Sequence, residues 1–348
     1  MAKKERILGE LHTCQPVDYK ESAIRKALEE DAQLLVETKH DGVQLNIVVK
    51  PAQGQSGKDW EVYFLSREGL QFDTLALKGV TAELQKLLAM YGASTYNGYR
   101  GGYMIQGELY SETLTAAQVA GVLRQKEPKD SITLIFSAFA VVPYTSVIGN
   151  SEPIRVNRMM QNRHAQTLLW GLQQLAAQAS HIDPRKDLFR ITLDVVKQSV
   201  VYRIEPEPVS KDGLSIPSLM EAYEAAREEG HEGVVVWRIG QPWHRGKKSG
   251  GWKMKPSETF DGHIVGFTAG KVESTRDLII GFQVCLEDGH VVNVDGLTDD
   301  LIQKVTKNPD EYMGMAVEVS CMERFENGSL RHPQFAGFRG INDPTVKE

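Results

Sequence analysis

Residues 34–49, LLVETKHDGVQLNIVV, decide how the N-terminal part of the chain folds. Two apolar stretches flank His40-Asp41-Gly42, and Val43, Leu45 and Ile47 alternate with polar residues. This patterning around a glycine-bearing tripeptide reads as a strand, a tight turn and a second strand. Lys39 stands at the end of the first strand, and Gly42 permits a turn that leaves its amine projecting into a cleft.

Working outward, ESAIRKALEE (21–30) places Ile24 and Leu28 four apart, as a short amphipathic helix does. Residues 61–65 and YMIQGELY (103–110) are further strands, and ITLIFSAFAVV (132–142) is apolar enough to be buried. Residues 156–178 form a long helical segment with Leu168, Leu169, Leu172 and Leu175 on one face. LMEAYEAAREEG ends another helix at Gly230, and the strand EGVVVWR follows directly. After Pro256 the texture changes to short strands: HIVGFT, IIGFQVCLE, HVVNVDG and MAVEVSCME. Asp288-Gly289 supplies a hairpin turn, and the whole suggests a small β-barrel or sandwich. The expectation is an α+β chain of two domains, residues 1–256 and 257–348.

A length of 348 residues supports two cores, and 41% hydrophobic with 25% charged residues is ordinary for a soluble globular protein. No apolar run reaches the ~18 residues of a membrane span, and the N-terminus lacks the apolar centre of a secretory signal. Cys14, Cys285 and Cys321 have neither disulfide nor metal-ligand spacing, so an intracellular, cytoplasmic setting is expected. The net charge of -6 argues at first against a nucleic-acid partner. Binding depends on local patches, however, and RIGQPWHRGKKSGGWKMK (238–255) is basic with no acidic residue.

A lysine attacks phosphorus only as the neutral amine. K-x-D-G alone is weak, and a solvated hairpin lysine is the ordinary reading. Its company changes that. Glu108 ends YMIQGELY, Glu232 opens EGVVVWR, Arg67 follows a strand in LSREG, and Lys253 and Lys255 alternate in WKMKP. Singly each is a rim charge. Together they give one nucleophile, two carboxylates for a hard divalent metal and three cations for phosphates, the equipment of nucleotidyl transfer.

The order KHDG, SREG, GEL, FSAFAVV, EGVVVW and WKMKP resembles the motif series of covalent nucleotidyltransferases: DNA ligases, RNA ligases and mRNA-capping enzymes. ESAIRKAL, EGHEG, RGKKSGGWKMKP, SLRHPQF and the later FRG are similar to segments of the short ATP-dependent DNA ligases of lytic double-stranded-DNA bacteriophages. The resemblance runs from about residue 20 to residue 340. It implies a nucleotidyltransferase (ligase adenylation) domain of antiparallel sheets and helices, followed by a β-barrel OB-fold domain. By the same resemblance Lys39 takes AMP from ATP, and the AMP passes to the 5′-phosphate of a nick before the 3′-hydroxyl displaces it. Glu37 then lies beside the adenine, Arg67 and Glu108 address the ribose, Phe139 stacks on the base and Val235 presses on its other face. Glu232, helped by Glu108, binds Mg2+ (Mn2+ as a substitute), while Lys253 and Lys255 hold the α-phosphate. Arg331 and Arg339 match a motif that orients pyrophosphate, and Asp261 matches a hinge position.

Read without the family, Phe139 and Val235 are core residues and RHPQF is a surface loop. Arg245, Lys247, Lys248 and Ser249 form either a solvated cluster or a contact to the DNA backbone, and the latter is favoured because glycine and serine let the chain lie close to phosphates. Trp243 and Trp252 either pack on sugar or anchor the loop. Two positions depart from the family pattern: Gln44 stands where many members carry arginine, and Trp237 where Lys or Arg is common. The expected partner is nicked double-stranded DNA, met by a monomer with no membrane association. The alternatives are an RNA ligase or capping-type enzyme on the same scaffold, or a non-catalytic duplex-binding protein.

Overall fold

The structure, a computed structural model, describes residues 6–9, 11–30, 33–52, 60–72, 88–90, 101–125, 132–148, 156–178, 189–201, 203–205, 217–270, 273–325 and 327–339. Two compact units divide the chain, Met1–Met254 and Lys255–Glu348. In the first, the order is β1 (Cys14–Asp18), α1 (Glu21–Glu30), β2 (Leu34–Lys39), β3 (Val43–Pro51), β4 (Trp60–Leu65), β5 (Tyr103–Tyr110), α2 (Ala116–Arg124), β6 (Ile132–Pro143), α3 (Tyr144–Val147), α4 (Arg158–Gln178), β7 (Phe189–Val195), β8 (Gln198–Val201), α5 (Leu219–Glu228), β9 (Gly233–Arg238) and β10 (Gly246–Met254).

These strands make two five-stranded sheets, ordered β1-β10-β9-β2-β8 and β4-β3-β5-β6-β7. Pairing is antiparallel except β1 with β10 and β6 with β7. Strand alternation then sorts the side chains into three layers. Leu34 and Val36 of β2 join Val234, Val236, Trp252 and Met254 beneath α1 and α5. On the second sheet Leu45, Ile47, Tyr103, Ile105, Leu134 and Phe136 pack against Ala165, Leu168, Leu169 and Leu172 of α4. The expected apolar face of that helix is therefore real, although the side chain of Leu175 lies outside the described residues. Burying each such side chain contributes roughly 1.5–3 kcal/mol before the entropy of ordering is counted.

The third layer lies between the sheets. Leu35 and Trp237 of the first sheet meet Val48, Met104 and Val142 of the second, with Trp243 fully buried among them. At one end this layer turns polar, and that end carries the candidate site.

The second unit contains β11 (Glu258–Ala269), β12 (Ile279–Leu286), β13 (Val291–Val294), α6 (Asp299–Lys307), β14 (Ala316–Cys321), β15 (Glu323–Arg324), β16 (Leu330–Arg331) and β17 (Gln334–Phe338). One sheet runs β13-β12-β11-β14-β17, wrapped around Phe282, Val284, Val317 and Val319. Asp288-Gly289 makes the expected turn, with Gly289 at φ +86°. No ladder closes the sheet among the described residues. Its edges meet at a single bridge, Asp295 with Gln334.

Candidate active site

Lys39 and Glu232 are neighbours by construction. Ser218 caps α5 in a reciprocal box with Glu221, and the helix stops at Gly230 (φ +82°). The chain therefore enters β9 at Glu232, whose backbone N–H donates to the Lys39 carbonyl at 3.0 Å. Across the same ladder Lys39 pairs with Gly233 and Glu37 with Val235. The Lys39 amine donates to Glu232 Oε2.

The rest of the row follows from register. Val235 pairs with Lys253 on β10, and Lys253 pairs with Asp18 on β1. On the other side Glu37 pairs with Gln198 of β8. Asp18, Lys253, Val235, Glu37 and Gln198 thus form one line across the sheet, and Lys253 Nζ reaches Asp18 Oδ1 at 3.1 Å. Lys255 follows the end of β10 and falls in the second unit.

The second sheet supplies Gln44 and Asn46 from β3, opposite Glu108 and Gln106 of β5. Burial pushes the Glu108 carboxyl up to about 7; Lys39 opposes the rise, Glu232 and Asp41 add to it, and Arg67 opposes it. Those five groups therefore share one electrostatic neighbourhood. Arg67 is exposed, and buried Asn46 donates to the carbonyl of Ser66 at 3.0 Å, fixing the start of its turn. Gly42 serves by close approach: a Cβ there would stand 2.4 Å from the Leu109 carbonyl oxygen. The His40 ring packs on Tyr110 (centroids 4.3 Å apart, planes 7° from parallel) and edge-on to His231, holding the turn between Lys39 and β3.

Phe139 lies at a break in the ladder. Gln106 pairs with Ala140 but Gly107 pairs with Ala138, which leaves Phe139 as the extra residue of a β-bulge. A bulge re-aims a side chain without ending the sheet. Phe139 is half-buried, and its ring faces the Arg158 guanidinium at 5.2 Å.

Sequence reasoning missed Arg158, the first residue of α4. Its Nε and Nη2 hold both oxygens of buried Glu37 at 2.7 and 2.6 Å, and Gln198 and Trp237 also donate to that carboxylate, at 2.7 and 3.1 Å. Removing one partner of such a buried pair costs about 3–5 kcal/mol. A cation in the first turn opposes the helix dipole, the one sequence signal that could have marked it.

The remaining expected residues fall as follows. Trp243 and Trp252 are both buried, and Trp243 Nε1 donates to Gln106 at 2.8 Å, so both anchor the fold. Arg245 is half-buried and donates to the carbonyls of Ser146 and Ile148 at 3.0 and 3.2 Å, whereas Lys247, Lys248 and Ser249 are exposed on β10. In the second unit Arg339 bonds Asp261 at 3.1 Å and Glu318 at 2.5 Å, and Arg331 bonds Glu323 at 3.0 Å. The three cysteines are free thiols. Among the described residues no helix is long and apolar enough to cross a membrane, and no group of three or more His, Cys, Asp and Glu gathers as a metal cluster. Glu232 and Glu108 are a pair of oxygen donors of the kind that holds Mg2+ together with substrate phosphates.

No protein-family profile matches the sequence. The chain is similar to the DNA ligase of Enterobacteria phage T3, with 31% identity over 343 residues covering 94% of this chain and 95% of that protein. The DNA ligase of Escherichia phage T7 is 29% identical, with the same coverage of each chain. Among solved structures, the ATP-dependent DNA ligase of bacteriophage T7 in complex with ATP superposes with a TM-score of 0.53 at 28% identity, covering 93% of this chain and 98% of that one. A Lig E DNA ligase gives 0.53 at 17% identity, covering 94% and 99%, a likeness of fold.

Proposed function

We propose, because this chain belongs to the bacteriophage DNA ligases, that it seals nicks in duplex DNA with ATP as nucleotide donor and that Lys39 carries the AMP. The observation that carries the assignment is the amine of Lys39 held against Glu232 at the polar end of the intersheet layer, with Glu108 in the same field.

In this reading Phe139 and Val235 enclose the adenine, beside Glu37, and Arg67 and Glu108 address the ribose. Lys253 and Lys255 hold the α-phosphate, and Arg331 and Arg339 orient pyrophosphate. Glu232 aims the Lys39 amine and receives its proton as the nitrogen lone pair attacks the α-phosphorus. The bond to the pyrophosphate oxygen breaks, leaving a phosphoramidate on Nζ. An oxygen of the 5′-phosphate next attacks that phosphorus, and as the P–N bond breaks Nζ takes back the electron pair together with the proton held by Glu232, leaving as the neutral amine. The 3′-hydroxyl then attacks the activated 5′-phosphorus, and AMP departs. Glu232 and Glu108 fit Mg2+, with Mn2+ as a substitute, which when bound supplies charge neutralisation on the phosphates.

In this reading Lys247, Lys248 and Ser249, exposed on β10, contact the DNA backbone, the lysines by charge and the serine by its small side chain, while Arg245 braces the turn through the Ser146 carbonyl. The enzyme works as a monomer in the cytoplasm, where ATP and DNA are both present. Nicked DNA and nicked RNA duplexes, each offered with ATP and with GTP, test the assignment. Sealing of nicked DNA with ATP is expected; sealing confined to RNA or to GTP would overturn it.

A further inference from the structure

Arg158 touches both sheets at once. Its guanidinium grips Glu37 of β2 through two hydrogen bonds, lies 4.5 Å over the Trp237 ring of β9, and faces the bulged Phe139 of β6 at 5.2 Å. It is buried, and its remaining nitrogen donates to Gln161 at 3.2 Å. The base of α4 is itself pinned: Asn157 caps it by accepting from the Met160 N–H at 3.0 Å, and the Val156 carbonyl accepts from Trp243 at 3.2 Å. A planar cation in contact with two aromatic rings and held by two hydrogen bonds to one carboxylate has little freedom left.

Glu37 has correspondingly little capacity to spare. Arg158, Gln198 and Trp237 already direct four donors at its two oxygens. Its carboxylate is thus a strut for Arg158 rather than an open acceptor, and the freedom of Phe139 is limited by the same guanidinium. We propose that Arg158 is a positioning residue for the nucleotide: it locks Phe139 and Glu37 into one arrangement across the intersheet layer and so sets the affinity for the purine of ATP. This rests on the reading of Lys39 as the adenylated residue. Trp237 completes the device, since its indole both donates to Glu37 and stacks on Arg158.

Arg158→Lys keeps the charge but loses the fork and the planar stack. Its KM for ATP in self-adenylation is expected to rise about tenfold, with a much smaller change in rate at saturating ATP. Arg158→Leu alone leaves Glu37 buried without its ion pair and is expected to be worse. Adding Trp237→Lys to it returns a cation to Glu37 from the neighbouring strand and should recover a substantial part of the lost affinity. All three variants are first checked for cooperative melting, and the Arg158→Lys measurement decides if Arg158→Leu fails to fold. A folded Arg158→Lys protein with unchanged KM overturns the proposal, as does a loss confined to the saturating rate. Absence of any adduct on the unaltered protein would instead remove the lysyl-adenylate reading itself, which separates the two failures.

Discussion

The backbone N–H of Glu232 donates to the carbonyl of Lys39, and the amine of Lys39 donates back to the carboxylate of Glu232. The two residues are 193 apart in sequence, yet two hydrogen bonds tie each to the other at the end of one antiparallel ladder. Because the backbone half survives side-chain replacement, the side-chain half can be tested cleanly.

Glu232→Gln should leave the β2–β9 ladder intact and lower the rate of self-adenylation by about two orders of magnitude, the typical scale for a displaced proton acceptor. Quenched-flow measurement with labelled ATP checks this. An unaltered rate would take Glu232 out of the chemistry.

Gly42→Ala tests the close approach of the turn to β5. A Cβ would lie 2.4 Å from the Leu109 oxygen and 2.9 Å from Tyr110 Cβ, both parts of a paired strand that cannot move freely. A loss of about 1–3 kcal/mol in unfolding free energy is expected, together with reduced self-adenylation. Urea denaturation reads the first and a labelled-ATP assay the second.

Glu108 sets a pH dependence of stability. Burial pushes its folded pKa up to about 7, above the ordinary carboxylate value of 4.5, so the folded protein holds the proton more tightly than the unfolded chain. Stability is therefore full below the unfolded value, falls as pH rises toward about 7, and is level above it. Glu108→Gln, in protein free of nucleotide and divalent metal, should melt higher than the unaltered protein at pH 8 and show no advantage at pH 4. Melting curves at the two pH values decide; an advantage that grows as pH falls would contradict the assignment.

Lys247 and Lys248 are exposed on β10. Replacing both with alanine should weaken binding to nicked duplex and reduce the slope of log K against log salt by about 2, whatever the sequence at the nick. Fluorescence anisotropy across a salt series measures it, and an unchanged slope would remove this stretch from the interface.

Much of this arrangement was legible because strands write themselves at period two. LLVETKHDGVQLNIVV became β2, a bend and β3, which fixed Lys39, and the helix stop at Gly230 delivered Glu232. What stayed hidden was whatever tertiary packing alone decides. Arg158 reaches Glu37 across 121 residues from a helix whose pattern reports only its apolar face. β1 carries Pro16 at a register break on a sheet edge, where the missing N–H does no harm but the strand signal is lost. β8, at the other edge, is only four residues long. The bulge at Phe139 left no trace in the uniformly apolar ITLIFSAFAVV; it shows only in the fold, where Leu134, Phe136 and Ala138 share a core with Val141 rather than with Ala140.

Intact-mass measurement after incubation with ATP and Mg2+, followed by peptide mapping, tests the central claim most directly. One added AMP is expected on the unaltered protein, carried by the peptide containing Lys39, and none on Lys39→Ala. An AMP adduct on another residue, or on Lys39→Ala, or its absence from protein that seals nicks, would contradict the account.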